Sequence, residues 1–451
     1  MWSTDLLLLA PYLITGLGGL AVLLAGVLPI RGRRHLAYGL TLLVLLAAAL
    51  ACIPLRGQTH VIQGLIIIDG TSLSFIALSA AGALATVLLA RHYGPTLGEV
   101  NEAFYGLVLF AALGMFMLVS TEDLLTGFLG TELIAVPLFA LIAWQPRRPG
   151  AIESGLKFAV LSGLAAAFFL YGMALIYAGA GTLDGQAIAA AAAGPHGFPL
   201  LVKIGAGLLL VAIGFELAVV PFHMWAADIY QGAPVPVTAL LGTVGKVAML
   251  VFLSRLVVNQ MATVWANFVP LLAAMAAAGM VVGNLLALRQ QNLKRLLGYS
   301  TIAHFGYVLV ALASGGPSGY QAALYYGLAY TAMNIAVFGV VAAVAGETGD
   351  REELESYRGL GRRHPWLGLV LAIGVLSLAG LPPTAGFFAK LLVFFAALQS
   401  GGYGLAVLLA LTTAVSPAPT ARLSFGPRLV LAGAAALTLG AGVYAQPFLF
   451  R

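Results

Sequence analysis

This sequence is short of charge, of cysteine and of acid. Only 8% of its 451 residues are charged, where a soluble domain carries about 25%. That deficit excludes a soluble globular enzyme, a disordered chain and a nucleic-acid binder. The single cysteine, Cys52, excludes a disulfide framework, a thiolate zinc site and an iron–sulfur cluster. Acidic residues number 16 against 22 basic ones, yet the net charge of +6 is spread too thinly to make a basic face for nucleic acid. Such an excess fits the cytoplasmic loops of a membrane protein.

Apolar residues fill the space that charge leaves: 61% of the chain is hydrophobic. A membrane-crossing helix needs about 20 mostly apolar residues. Fourteen such runs follow one another, at 6–29, 36–55, 71–91, 103–120, 123–144, 152–180, 200–220, 233–258, 262–286, 293–314, 318–345, 366–397, 402–416 and 428–447. The expected fold is an all-α polytopic membrane protein. The 55 glycines fit helices that pack closely in a bundle. Asp5 precedes the first apolar run without a basic stretch before it, which argues against a cleaved signal peptide. The longest polar stretch, Gly346 to His364, is too short to house a catalytic domain, and Thr182–Pro199 shows no chemistry. Loop arginines 31, 33, 34, 147 and 148 do not settle the orientation.

Lysine carries the informative pattern. The chain has seventeen arginines, clustered at span ends, and five lysines. Lys157, Lys246 and Lys390 interrupt apolar runs. A charge in hydrocarbon is costly, so such residues normally face a bundle interior and have a task. Burial lets lysine lose and regain a proton, whereas arginine stays charged. Snorkelling to the interface is the alternative; it is expected for Lys203 and Lys294, and it competes at Lys157. Glu132 and Glu216 also sit in apolar runs with no basic neighbour at helical spacing, so a partner comes from another helix, Lys157 or Lys246. His223 and His304 fall in apolar surroundings and suit a proton relay. With no carboxylate at ligand spacing, no metal site is expected. Glu122 and Asp123 read as helix-start residues.

Two spans are broken. Leu217-Ala-Val-Val-Pro221 and Leu378-Ala-Gly-Leu-Pro382 share Leu-Ala-x-x-Pro, 161 residues apart. Proline removes a helical hydrogen bond, and irregular backbone at membrane depth is tolerated only where protein or a cavity covers it. Paired breaks suggest inverted repeats with an ion path. The residues alone reach proton or cation translocation, with the driving reaction elsewhere.

The stretch Val220-Pro-Phe-His-Met-Trp-Ala-Ala-Asp-Ile-Tyr-Gln-Gly-Ala-Pro-Val-Pro-Val-Thr238 resembles the antiporter-like membrane subunits of respiratory complex I, the proton-pumping NADH–quinone oxidoreductase. Gly130–Leu138, Asn292–His304 and Ser377–Phe387 match as well, and the resemblance spans roughly 60–415. Asp228–Pro234 with Lys246 looks like the N-type members rather than the L and M types. The resemblance implies 14 helices, two inverted five-helix repeats and discontinuous helices 7 and 12, laid out as 1–100, 101–258, 259–416 and a C-terminal helix in 417–451. It also implies a proton relay through Glu132, Lys157, His223, Lys246, His304 and Lys390, and Glu216 joins them at the position where relatives carry lysine. The implied setting is the bacterial inner membrane, among other membrane subunits, paralogous and small helical ones. FMN, iron–sulfur clusters and quinone belong to partner subunits, and none is expected in this chain.

The sequence departs from the family pattern in three places. Glu216 replaces the lysine, so two carboxylates stand where a Glu–Lys pair is usual, and one must be protonated or neutralised by Lys157 or Lys246. Ala226-Ala227-Asp228 lacks the usual proline. The thirteenth run stops at Ala414-Val415-Ser416 and passes to Pro417. A sodium-type cation/proton antiporter subunit, a hydrogenase-linked membrane subunit and a paralogue without pumping are the alternative readings.

Overall fold

A computed structural model describes residues 6–29, 31–93, 100–193, 199–345 and 351–415. The expected C-terminal helix in 417–451 lies outside the described residues. Eleven helices among those described are long and apolar enough to cross a membrane, and Pro365–Ala379, Ala385–Gln399 and Tyr403–Ala414 are shorter apolar helices. The described residues are helical almost throughout, as expected, with one short hairpin beside the helices. His60–Ile62 and Ile66–Ile68 form an antiparallel hairpin. Its turn runs through Gln63 and Gly64, both at positive φ (50° and 72°), the backbone that matches strand twist. Ile67 N–H donates to Ser120 O at 2.7 Å, and Glu122 N–H to Leu65 O at 3.0 Å. The hairpin thus clasps the loop that separates two spans.

The described residues fall into two compact units. The first combines Met1–Leu217 with Gly232–Asn267, and the second combines Ala218–Gln231 with Phe268–Arg451. In the first, helix Glu102–Val119 crosses Leu124–Ile142 where a Cβ on Gly114 would stand 2.7 Å from Gly130 O. Only hydrogen fits there, so the backbones touch. In the second, Val269–Leu288 meets Leu293–Ser314 in the same way, with Gly283 against the backbone of Ala303.

Both predicted breaks are present. Leu200–Leu217 stops and Met224–Gly232 resumes; Pro365–Ala379 stops and Ala385–Gln399 resumes. Each break opens on a left-handed residue, Ala218 (φ 55°) and Gly380 (φ 82°). At Gly380 a Cβ would stand 2.8 Å from Lys390 Cδ, so glycine is needed both for the backbone and for the lysine beside it.

The span expected at 233–258 is not one uniform α-helix. A π-helical turn at Leu241–Gly245 ends immediately before Lys246, and a second occupies Arg255–Gln260. The segment Val235–Val258 is buried along its length. Within the first turn, Thr243 Oγ1 donates to Ala239 O.

Candidate functional site

In the first unit, Lys246 is 2% exposed. Its Nζ donates to the backbone oxygen of Glu216 at 2.9 Å, one residue before the helix Leu200–Leu217 ends. The last carbonyls of a helix lack intrahelical donors and carry partial negative charge. The broken helix therefore offers Lys246 a seat that favours its ammonium form inside an apolar bundle. Glu216 accepts a hydrogen bond from Ser162 Oγ at 3.4 Å. Two small cavities of roughly water size meet at this residue. One is lined by Thr131, Glu216, Gly245 and Lys246, the other by Phe128, Thr131, Glu132 and Glu216. Glu216 and Thr131 are thus shared by the two cavities, with Lys246 lining one and Glu132 the other.

Lys157, by contrast, is not part of either cavity's lining. Its helix begins at Pro149, which brings Lys157 onto an exposed face, 46% accessible and paired with Glu153 one turn earlier at 2.5 Å. The expected placement inside the bundle is corrected on that point. Lys203 is exposed, as its snorkelling reading required. Lys294 is not: it is fully buried, because the helix Leu293–Ser314 begins inside the protein.

The second unit repeats the lysine geometry. Lys390, 4% exposed, donates to Leu378 O at 3.1 Å and Ala379 O at 3.0 Å, the last carbonyls of Pro365–Ala379. Its Nζ also lies 4.8 Å from the centre of the Tyr307 ring, a cation–π contact. His304 stands edge-on to the same ring, and its Nδ1 pairs with Tyr326 OH at 2.6 Å. Tyr307 OH accepts from Asn284 at 3.0 Å, and Tyr330 OH pairs with Thr301 at 2.8 Å. His304 and Lys390, each expected in the relay, therefore meet on the ring of Tyr307. His223 lies partly buried in the break before Met224–Gly232. Asp228 of the long motif holds Arg295 at 2.6 Å.

Sequence reasoning passed over one buried ion pair. Arg255, 2% exposed, meets Asp69 at 2.7 Å, and its Nε donates to Val119 O at 3.0 Å. Asp69 also caps the helix Gly70–His92, accepting from Ser72 N–H at 2.7 Å. Burial alone would raise the Asp69 carboxyl, but Arg255 and these donors together hold it below the usual aspartate range. Among the described residues, no group of three or more His, Cys, Asp or Glu side chains is placed to hold a metal ion.

Residues 121–416 match the family model described as NADH:quinone oxidoreductase/Mrp antiporter, transmembrane. The chain belongs to this family. A Nitrosomonas europaea protein named NADH-quinone oxidoreductase subunit N is 36% identical over 389 residues, covering 86% of this chain and 81% of that protein. A Solidesulfovibrio magneticus protein named NADH-quinone oxidoreductase subunit N 1 is 43% identical, covering 74% of this chain and 71% of that protein. In the solved respiratory complex I from Thermus thermophilus with bound aureothin, one chain superposes with a TM-score of 0.79 at 36% identity, covering 97% of this chain and 98% of that one. The family members assemble into multisubunit membrane complexes, which accords with the many large apolar side chains that this chain leaves exposed.

Proposed function

We propose that this chain is the N-type antiporter-like subunit of a bacterial proton-pumping NADH–quinone oxidoreductase, working in the inner membrane, and that each unit moves protons through a buried lysine. The observation that carries the reading is the repeated seat: Lys246 and Lys390 each donate to the open carbonyl end of a broken helix. A lysine in hydrocarbon favours the neutral amine, and a helix C-terminus favours the ammonium. Two opposing effects act on one group, so a change in its surroundings shifts its proton occupancy. In the first unit the surroundings are Glu132 and Glu216. Two carboxyls around one small pocket do not both ionise comfortably, so a proton delivered to Lys246 is exchanged with a pair that holds one already. Glu216 thereby takes the place of the usual lysine as a proton donor rather than as a fixed cation.

The relay is assigned to Glu132, Glu216 and Lys246 in one unit and to His304 and Lys390 in the other, with His223 at the break. Lys157 stands outside the pocket and is given no more than an access role. The paired breaks support a layout in two repeats, 101–258 and 259–416. Under this reading the redox groups, FMN, iron–sulfur clusters and quinone, reside in partner subunits, and this chain supplies only protonatable side chains.

The test uses a tagged chain in its native membrane. Purification should bring down NADH-oxidising, quinone-reducing activity, and the reconstituted complex should acidify one side of the vesicle on NADH addition. Purification without that activity, accompanied by sodium–proton exchange in vesicles lacking NADH, would move the chain to the antiporter branch of its family.

A further inference from the structure

Lys390 is a buried lysine without an acid. Among the described residues, no carboxylate forms an ion pair with it, whereas Lys246 shares a cavity with Glu216. A buried charge is costly unless hydrogen bonds or an opposite charge compensate it. Two of the three ammonium hydrogens are accounted for, by Leu378 O at 3.1 Å and Ala379 O at 3.0 Å. Gly380 closes another side, where a Cβ would stand 3.2 Å from Nζ. The Tyr307 ring, its centre 4.8 Å from Nζ, is what remains for the third hydrogen.

That ring is anchored. Tyr307 is buried, and its hydroxyl accepts from Asn284 Nδ2 at 3.0 Å, while the same Nδ2 donates to Met280 O at 2.7 Å. Asn284 reaches across because its helix, Val269–Leu288, meets Leu293–Ser314 backbone to backbone one residue before the tyrosine. A Cβ on Gly306 would stand 2.7 Å from Met280 N, so only glycine permits the approach. Hydroxyl and glycine together hold the ring beside Lys390.

We infer that Tyr307 is a positioning residue for Lys390, and that its ring distinguishes the charged form of the lysine from the neutral one. An ammonium has three N–H groups, an amine two and a lone pair. Leu378 O and Ala379 O satisfy the amine completely. The extra N–H of the ammonium has the aromatic ring, whose electron-rich face attracts a cation. Loss of the proton turns a lone pair toward the same face, which repels it. The proton that leaves is therefore the one facing Tyr307, and the two carbonyl bonds keep Nζ in place through the change. Charge balances simply: the ammonium becomes an amine, and the imidazole of His304 becomes an imidazolium. His304 stands edge-on to Tyr307 with ring centres 5.8 Å apart, so the two groups that carry the proton in turn share one ring. The inference rests on the proposed proton-carrying function and adds to it the group that sets the charged form of Lys390.

The test compares assembled complexes in proteoliposomes, read as protons moved per NADH oxidised. Tyr307→Leu removes the ring, and Tyr307→Phe keeps it and removes only the hydroxyl. Pentafluorophenylalanine at position 307, introduced by nonsense suppression, keeps the ring and reverses its quadrupole. The proton-to-NADH ratio should fall in Tyr307→Leu, recover toward the wild-type value in Tyr307→Phe, and fall again with the pentafluoro ring, while all three complexes still oxidise NADH. A role in packing alone gives the two ring-bearing chains the same ratio, and that equality overturns the inference, even where Tyr307→Leu fails to assemble. A wild-type ratio in Tyr307→Leu overturns it as well. Lys390→Met separates this outcome from the wider reading. A lowered ratio there, with equal ratios in the two ring-bearing chains, removes Tyr307 and leaves Lys390 as a carrier, whereas an unchanged ratio in Lys390→Met removes the carrier itself.

Discussion

Replacing Arg255 with methionine isolates the buried ion pair while keeping most of the side-chain volume. In the wild type, Arg255 holds Asp69 at 2.7 Å and the Val119 carbonyl at 3.0 Å. The variant leaves a carboxylate without its cation and a buried carbonyl without its donor. Removing one partner of a buried pair costs about 3–5 kcal/mol. Asp69 is 21% exposed and keeps its Ser72 donor, so the lower end, about 3 kcal/mol, is expected. Arg255→Met combined with Asp69→Asn should recover much of this, because asparagine still caps the helix and carries no charge. The remaining loss should be about 1 kcal/mol, for the Val119 carbonyl. Reversible unfolding in mixed detergent micelles, run on both single variants and the double, gives the coupling directly. A single-variant loss under about 1 kcal/mol would refute the claim that Arg255 is held by this pair.

Three further outcomes are expected. The Glu122 carboxyl is raised in the folded protein from its ordinary value of 4.5, so the fold loses stability as pH climbs from there through the raised value; Glu122→Gln should narrow that loss on the alkaline side and change nothing at acid pH, as read from unfolding curves across pH. Lys390→Met should cut proton translocation and also destabilise the second unit by about 1–3 kcal/mol, since Leu378 and Ala379 lose their shared donor. Gly386→Ala drives a Cβ into the backbone oxygen of Ser377, so it should cost about 1–3 kcal/mol by overpacking and displace Lys390 one turn later, measurable as lost stability together with lost translocation.

Much of this architecture was legible as sequence. The apolar runs marked the spans, and Leu-Ala-x-x-Pro marked both breaks, because proline and a left-handed residue interrupt a helix in a way that composition records. Lys246 and Lys390 stood out because a lysine inside an apolar run has few places to go. Other features left no such trace. Asp69 and Arg255 lie 186 residues apart, and neither has an unusual neighbour; their pairing is a product of packing. A π-turn uses the same apolar residues as an α-turn, so Leu241–Gly245 read as ordinary helix. The three-residue strands of the hairpin are too short for alternation to show. Lys157 and Lys294 each sit near a span end, and only the true helix starts, Pro149 and Leu293, decide which is exposed and which is buried.

The relay through Lys246 is tested most directly by the number of protons moved per NADH oxidised in proteoliposomes carrying the complex with Lys246→Ala. The account predicts an assembled complex that still oxidises NADH and reduces quinone but moves fewer protons per turnover. An unchanged proton-to-NADH ratio in that variant would contradict it.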